Sequence, residues 1–354
     1  MSTIRRVWAA LSDNKKIRSI SSSGGVFYEL SNHILKQGGV VYGVSMSEDN
    51  RGAEYIRACD YNSLIRILGS KYIQAKVGDT YKRVKNDLDN RVNVLFSGTG
   101  CIINGLKAFL NQDYDNLFCI EVVCHGVPSP KLWERYIIDI EEREKAKVKS
   151  VSFRSKDYGW ESFGLSRMSN AEKYIFSPAG SDVFMQMFLK NYCLRPSCYE
   201  CLAKKQRYAD ISLGDFWGID SIHPDMNDGM GTSLVIIRSE KGSKLFEAIH
   251  GSLITKEASY DEAVKNNPAE YSSVDRPTER DSFFTDLGTM PFKKLTKKYV
   301  PLSKKQIIKK ALLKTPLGKV LGGGNMNWQN YSLLFVLKNE RNHREGKVRK
   351  PCLQ

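Results

Sequence analysis

The chain has 354 residues, 54 of them Lys or Arg and 39 Asp or Glu, for a formal net charge of +15. With 41% hydrophobic and 26% charged residues, the composition is globular and the length suits one large domain or two ordinary ones, which excludes disordered and collagen-like chains. Apolar runs long enough for a membrane-spanning helix (about 18 residues) are absent, and the stretch Val7–Leu11 is too short for a signal peptide, so a cytoplasmic protein with reduced thiols is expected.

In chain order, strand and helix patterns alternate. Ser22–Lys36 reads as a helix with Val26, Phe27, Leu30, Ile34 and Leu35 on one face, entered through Ser21, Ser22, Ser23, Gly24 and Gly25. Such an entry leaves backbone amides accessible to a phosphate, or serves as a plain serine N-cap. Gly39–Ser45 is a β-branched strand pattern. Val92–Phe96 is a buried-type strand running into Ser97, Gly98, Thr99, Gly100 and Cys101, with a helix over 103–110. Phe118–Cys124 is the next strand, followed by His125 and Gly126, and Ser129 and Pro130 open a helix to about Lys145. Val151–Arg154, Ile211–Leu213 and Leu234–Arg238 are shorter strands. Repeated strand, glycine turn and helix predict an α/β fold, passing into α+β in the second half. Its parallel-type sheet places cofactor loops at the strand ends.

The charge is uneven. Pro291–Gln354 holds 16 Lys or Arg and 2 Asp or Glu, which leaves 38 basic and 37 acidic residues in 1–290. A nearly neutral body gives no support to a nucleic-acid groove, and no nucleic-acid partner is expected. The tail reads as a basic amphipathic helix over Leu302–Leu321, a pattern for peripheral contact with an anionic membrane, at the inner face, or for a solvated segment docked on its own body. The composition changes most sharply near residue 290, giving an expected organisation of 1–90, 91–290 and a basic helical tail at 291–354.

Of eight cysteines, Cys59, Cys119 and Cys352 have no informative neighbours, and Cys119 reads as core. Cys193, Cys198 and Cys201 follow the spacing C-x4-C-x2-C. Thiolates this close converge on one centre only when a metal or cluster offsets their repulsion, and the spacing matches a plant-type iron–sulfur run that takes a fourth ligand from elsewhere. Cys101 and Cys124, each at a strand end, are the candidates for that ligand. A structural zinc also accepts four thiolates. His125 is a candidate catalytic group on a strand-end loop, or a carbonyl partner; His33, His223, His250 and His343 are scattered. Gly98–Gly100 misses the dinucleotide fingerprint, because the next glycine is Gly105.

Several motifs occur in a specific order: Ser21–Phe27, then Gly69-Ser70-Lys71-Tyr72-Ile73-Gln74, then Phe96–Cys101, Cys124–Pro130, the cysteine run 193–201, and Leu213-Gly214-Asp215-Phe216-Trp217-Gly218. Over roughly residues 5–245 the chain thereby resembles the coenzyme F420 hydrogenase/dehydrogenase beta-subunit family. Where that family usually reads S-G-T-P-C-Q, this chain has Gly100 and Ile102 in place of the proline and glutamine. The resemblance implies an iron–sulfur flavoprotein oxidoreductase with one [4Fe-4S] cluster and FAD, and leaves coenzyme F420 itself open as hydride partner. It implies a small-molecule or sugar substrate, in the setting of exopolysaccharide or capsule biosynthesis. Relatives often begin with a ferredoxin module; no cysteine precedes Cys59 here, so an external ferredoxin-like electron carrier is expected. In this reading Ser22, Ser23, Gly24, Gly25, Ser97, Gly98 and Thr99 cradle phosphate. Ser70 lies beside Lys71, which neutralises phosphate or polarises the flavin, and Tyr72 stacks. Asp215 binds a ribose hydroxyl or braces the cluster loop, which Phe216 and Trp217 shield. The competing expectation is a non-catalytic, metal-bearing accessory protein of a glycan-assembly complex.

Overall fold

The computed structural model describes residues 6–301. In chain order its elements are β1 (Arg6–Ser12), α1 (Lys15–Ile20), α2 (Val26–Lys36), β2 (Val40–Met46), β3 (Ala53–Ala58), α3 (Tyr61–Ile67), β4 (Ala75–Lys76), α4 (Thr80–Asp89), β5 (Val94–Thr99), α5 (Gly100–Leu110), β6 (Leu117–Val122) and α6 (Pro130–Glu144). There follow β7 (Val148–Ser155), β8 (Gly164–Ser169), β9 (Tyr174–Pro178), α7 (Val183–Leu189), β10 (Ile211–Asp215), β11 (Ser233–Ile237), α8 (Glu240–Ala248), β12 (Leu253–Glu257), α9 (Tyr260–Val264), α10 (Arg280–Thr289) and α11 (Phe292–Tyr299). One compact unit runs to Thr289 and a second starts at Met290. The expected tail helix over Leu302–Leu321 lies outside the described residues.

Among the described residues a nine-stranded sheet has the order β12-β1-β11-β10-β6-β5-β2-β3-β4. Its centre, β10-β6-β5-β2, is parallel, and its flanks turn antiparallel through β1, β11, β12 and β3. Strands from both sides of residue 90 therefore share one sheet, without a boundary there. Central parallel strands are covered on both faces, which explains the unbroken apolar run of β5. Leu95 faces Leu30 and Ile34 of α2, Leu64 of α3 and Phe246 of α8; Val94 and Phe96 face Val84 of α4 and Ile103 and Leu106 of α5. Each such buried aliphatic contributes about 1.5–3 kcal/mol relative to exposure.

A separate three-stranded sheet, β7-β8-β9, packs its Phe153 on Trp133 of α6 at 4.6 Å, with Phe184 of α7 against the same indole at 4.9 Å. Helix α2 begins at Val26, later than the serine run suggested, and Gly25 caps it with φ +88°. Residues 21–25 are instead a loop, drawn close because Gly24 has no side chain: a Cβ there would lie 2.4 Å from the Ala10 carbonyl oxygen and 2.8 Å from the Ser233 amide. Among the described residues no helix is long and apolar enough to cross a membrane.

Candidate functional site

The parallel centre of the sheet ends in a cleft of about 740 Å³. That volume falls within the roughly 300–1,000 Å³ usual for small-molecule and cofactor sites. Ser97–Thr99 of β5, Val122–Gly126 after β6 and Leu213–Asp215 of β10 form its floor, the strand-end position where open α/β sheets bind ligands. Its walls are the loops 21–27 and 67–75, Arg154 and Phe163 from the small sheet, residues 185–195, and the segment 266–275.

The two expected cradle loops meet. The Ser70 amide donates to Ser22 Oγ at 2.7 Å, and the two hydroxyls lie 2.9 Å apart. Ser23 Oγ donates to the Thr232 carbonyl at 2.8 Å. The Gly24 amide is spent on Ser233 Oγ at 3.0 Å, and Gly24 does not line the cleft; its place in the phosphate set gives way to close packing. The amides of Gly25, Val26 and Phe27 make no hydrogen bond among the described residues, and all three residues line the cleft at the start of α2. This is the arrangement that favours an anion. On β5, Ser97 Oγ donates to the Tyr42 carbonyl at 3.2 Å, and a Cβ on Gly98 would lie 2.5 Å from Tyr55 Oη.

Lys71 lines the cleft, but its ammonium donates to the carbonyls of Leu68 at 2.7 Å and Arg66 at 3.1 Å, closing the end of α3. Burial pushes its pKa down to about 7. Tyr72 stacks on Phe188 at 5.1 Å, and burial raises its hydroxyl pKa. His125 Nε2 lies 2.7 Å from Asn191 Oδ1, with its ring edge-on to Phe188, and burial lowers its pKa. Asp215 is held inside the protein: Arg154 Nη2 lies 2.9 Å from Oδ2 and Trp160 Nε1 donates to Oδ1 at 3.2 Å. Trp217 stacks on Trp160 at 4.7 Å with the Arg154 guanidinium 5.2 Å from its ring, and Phe216 joins the Trp160 core.

Four thiols come together at one end of the cleft. Burial pushes Cys124 up to about 12, with the nearby thiols of Cys198, Cys101 and Cys201 adding to the rise. Cys198 is raised by burial and by Cys101 and Cys201. Cys101 and Cys124 line the cleft itself, and Cys101 is exposed. Thr99 Oγ1 lies 3.3 Å from Cys101 Sγ, the Val127 amide donates to Cys198 Sγ at 3.4 Å, and the Cys201 amide donates to Ser273 Oγ at 2.9 Å. Both strand-end cysteines thus join the group, where one was expected. Cys193 stands apart: it is wholly buried, and the groups acting on its thiol are backbone of its own and of Ser129 and the Arg280 guanidinium, with no second thiol among them. Its backbone is paired with the Pro128 region, the Ser129 amide donating to the Cys193 carbonyl at 2.8 Å, which turns the side chain into the core. Among the described residues no three His, Cys, Asp or Glu side chains form a group that could hold a metal ion. Cys119 is core, as expected.

The sequence reading missed Arg154, Phe163, Lys204 and the segment 266–275. Arg154 was marked only by a charge inside an otherwise strand-like run. Its guanidinium sits 3.8 Å over Phe163, and its Nε is buried without a hydrogen-bond partner. Lys204 donates to the carbonyls of Cys124, at 2.9 Å, and Ala269.

Residues 92–262 match the family model for the C terminus of the coenzyme F420 hydrogenase/dehydrogenase beta subunit. Over that region the chain is similar to the coenzyme F420 hydrogenase/dehydrogenase beta-subunit family. Every residue of the thiol group lies within it. Among solved structures, the chain is similar to a chain of the F420-reducing [NiFe] hydrogenase complex from Methanosarcina barkeri, with 17% identity, TM-score 0.51, and coverage of 88% of this chain and 93% of that one. That likeness shows a shared fold alone. No curated protein matches.

Proposed function

We propose that this chain is an iron–sulfur flavoprotein oxidoreductase, with a [4Fe-4S] cluster on Cys101, Cys124, Cys198 and Cys201 and FAD in the adjoining cleft. The observation that carries the reading is the convergence of four thiols from three segments at the end of a cofactor-sized cleft. The donor set fits the cluster in kind and number: four sulfurs, each close enough to act electrostatically on another of the group. The free amides at the start of α2 fit a diphosphate, and Tyr72 with Phe188 offers an aromatic wall for a planar ring. A flavin, when bound, exchanges a hydride with one partner and single electrons with another.

The chain's own groups bind and exclude. Arg154 presents a buried cation to the cleft while Asp215 balances its charge. Lys71 and His125, both turned to backbone or amide partners, shape the cleft, and burial lowers the pKa of each. Cys101, exposed beside the cleft, puts the thiol group within reach of an external electron carrier of ferredoxin type. A sugar-bearing substrate, a polysaccharide setting and the choice of coenzyme F420 rest on the sequence resemblance alone. The basic tail recruits the protein to an anionic membrane surface in this reading.

The test is oxygen-free expression, followed by iron, sulfide and flavin analysis and a visible spectrum. Iron and sulfide near four per chain with bound flavin are expected. Colourless protein that carries zinc, or nothing, refutes the reading.

A further inference from the structure

Cys101 lies in the first turn of α5 directly after β5, Cys124 lies just past β6, and Cys201 lies in the loop between α7 and β10. A closed ring of buried side chains lies beneath them. Arg207 pairs with Glu121 and, at 3.3 Å, with Glu270; Arg238 pairs with Glu270; Arg238 Nε donates to Ser212 Oγ at 2.6 Å; and Ser212 Oγ donates back to Glu121 Oε2 at 3.0 Å. The charged side chains of the ring are between 1% and 7% exposed. Two guanidiniums and two carboxylates leave it neutral.

The ring touches the root of each cysteine segment. The Glu121 carboxylate abuts Gly100, next to Cys101, so closely that a Cβ there would lie 2.5 Å from Oε1. Glu121 also lies on the strand that delivers Cys124. Arg207 follows Cys201 on the same loop and donates to the Glu270 carbonyl, while Lys204 ties that loop to the Cys124 and Ala269 carbonyls. A buried ion-pair ring is a poor stabiliser compared with apolar packing, because desolvation consumes most of its attraction. Partners behind metal ligands, by contrast, set ligand position and metal properties.

We propose that this ring, through Arg207 and Glu121, is the positioning device of the thiol group: it holds Cys101, Cys124 and Cys201 at cluster spacing, and its charges set the cluster's reduction potential. The proposal rests on the iron–sulfur reading above. Its test uses the full chain with Arg207→Met, Glu121→Gln and the conservative Arg207→Lys. Iron retention after oxygen-free reconstitution should fall roughly 10- to 100-fold in Arg207→Met and be largely kept in Arg207→Lys. The potential, followed by paramagnetic resonance during reductive titration, should move negative on loss of the cation and positive on loss of the carboxylate.

In metal-free protein, alkylation of Cys101, Cys124 and Cys201 should quicken in Arg207→Met while Cys193 keeps its rate. Equal potentials in all forms, shifts of one sign, or quickening of Cys193 along with the rest would overturn the proposal. If Arg207→Met fails to fold, Glu121→Gln and Arg207→Lys carry the sign test. A wild-type chain that takes up no iron refutes the cluster reading instead, and the alkylation rates then decide the positioning role by themselves.

Discussion

Exchanging single cysteines for serine should separate two roles that look alike along the chain. Cys193 is wholly buried, with Arg280 holding the neighbouring Leu194 carbonyl at 2.9 Å. A serine hydroxyl there loses water without a prepared partner, at a cost of about 1–3 kcal/mol. For a body of this size each kcal/mol lowers the melting temperature by roughly 2–4 °C, so Cys193→Ser should melt several degrees early. Its iron content after oxygen-free reconstitution should equal that of the wild type. Cys198→Ser should do the reverse. Its side chain is partly exposed and already accepts the Val127 amide, a bond that a hydroxyl can take over, so the metal-free melting temperature should change little while iron is largely lost. Cys101→Ser, Cys124→Ser and Cys201→Ser should follow Cys198→Ser. The assay is paired calorimetry and iron analysis on all five variants. Full loss of iron in Cys193→Ser, together with retention in Cys101→Ser or Cys124→Ser, would refute the assignment and restore the ligand set suggested by local spacing.

Lys71 titrates near 7 in the folded chain against about 10.5 when unfolded. Between those values the unfolded chain holds the extra proton, so Lys71 should contribute stability that grows as pH rises from 7 to 10.5 and is lost as pH falls back, with no further loss below 7. Urea midpoints of Lys71→Met should lack this slope, and an unchanged slope would count against it. Gly24→Ala should cost about 1–3 kcal/mol, since its Cβ meets backbone atoms of both β1 and the start of β11. Gly180→Ala, with nothing within 4 Å, should be silent in the same thermal melt. Truncation after Met290 should weaken binding to anionic vesicles, at about 1 kcal/mol for each basic residue near the surface, and leave iron content intact. Equal binding by both forms would remove the membrane role of the tail.

The alternation of elements and the kind of chemistry were legible in the order of residues alone. Apolar runs such as Val94–Phe96 and Phe118–Ile120, set between turn residues, fit strands covered on both faces, and small residues at 21–25 and 97–100 mark where the chain approaches something closely. The cysteine types and the strand-end positions of Cys101 and Cys124 were equally legible. Even the buried ring left a trace, a glutamate inside the apolar run Phe118–Cys124.

Which thiols meet depends on how the chain folds back on itself. Spacing along a chain measures contour distance and says nothing of side-chain direction, so Cys193, neighbour to Cys198 in sequence, turns into the core. The strand order β10-β6-β5-β2 brings distant carboxyl ends side by side and sets both Cys101 and Cys124 against the 198–201 loop. Arg154, Arg207 and Glu270 became visible for the same reason: a buried charge is defined by the partners that surround it, and those partners come from every part of the chain.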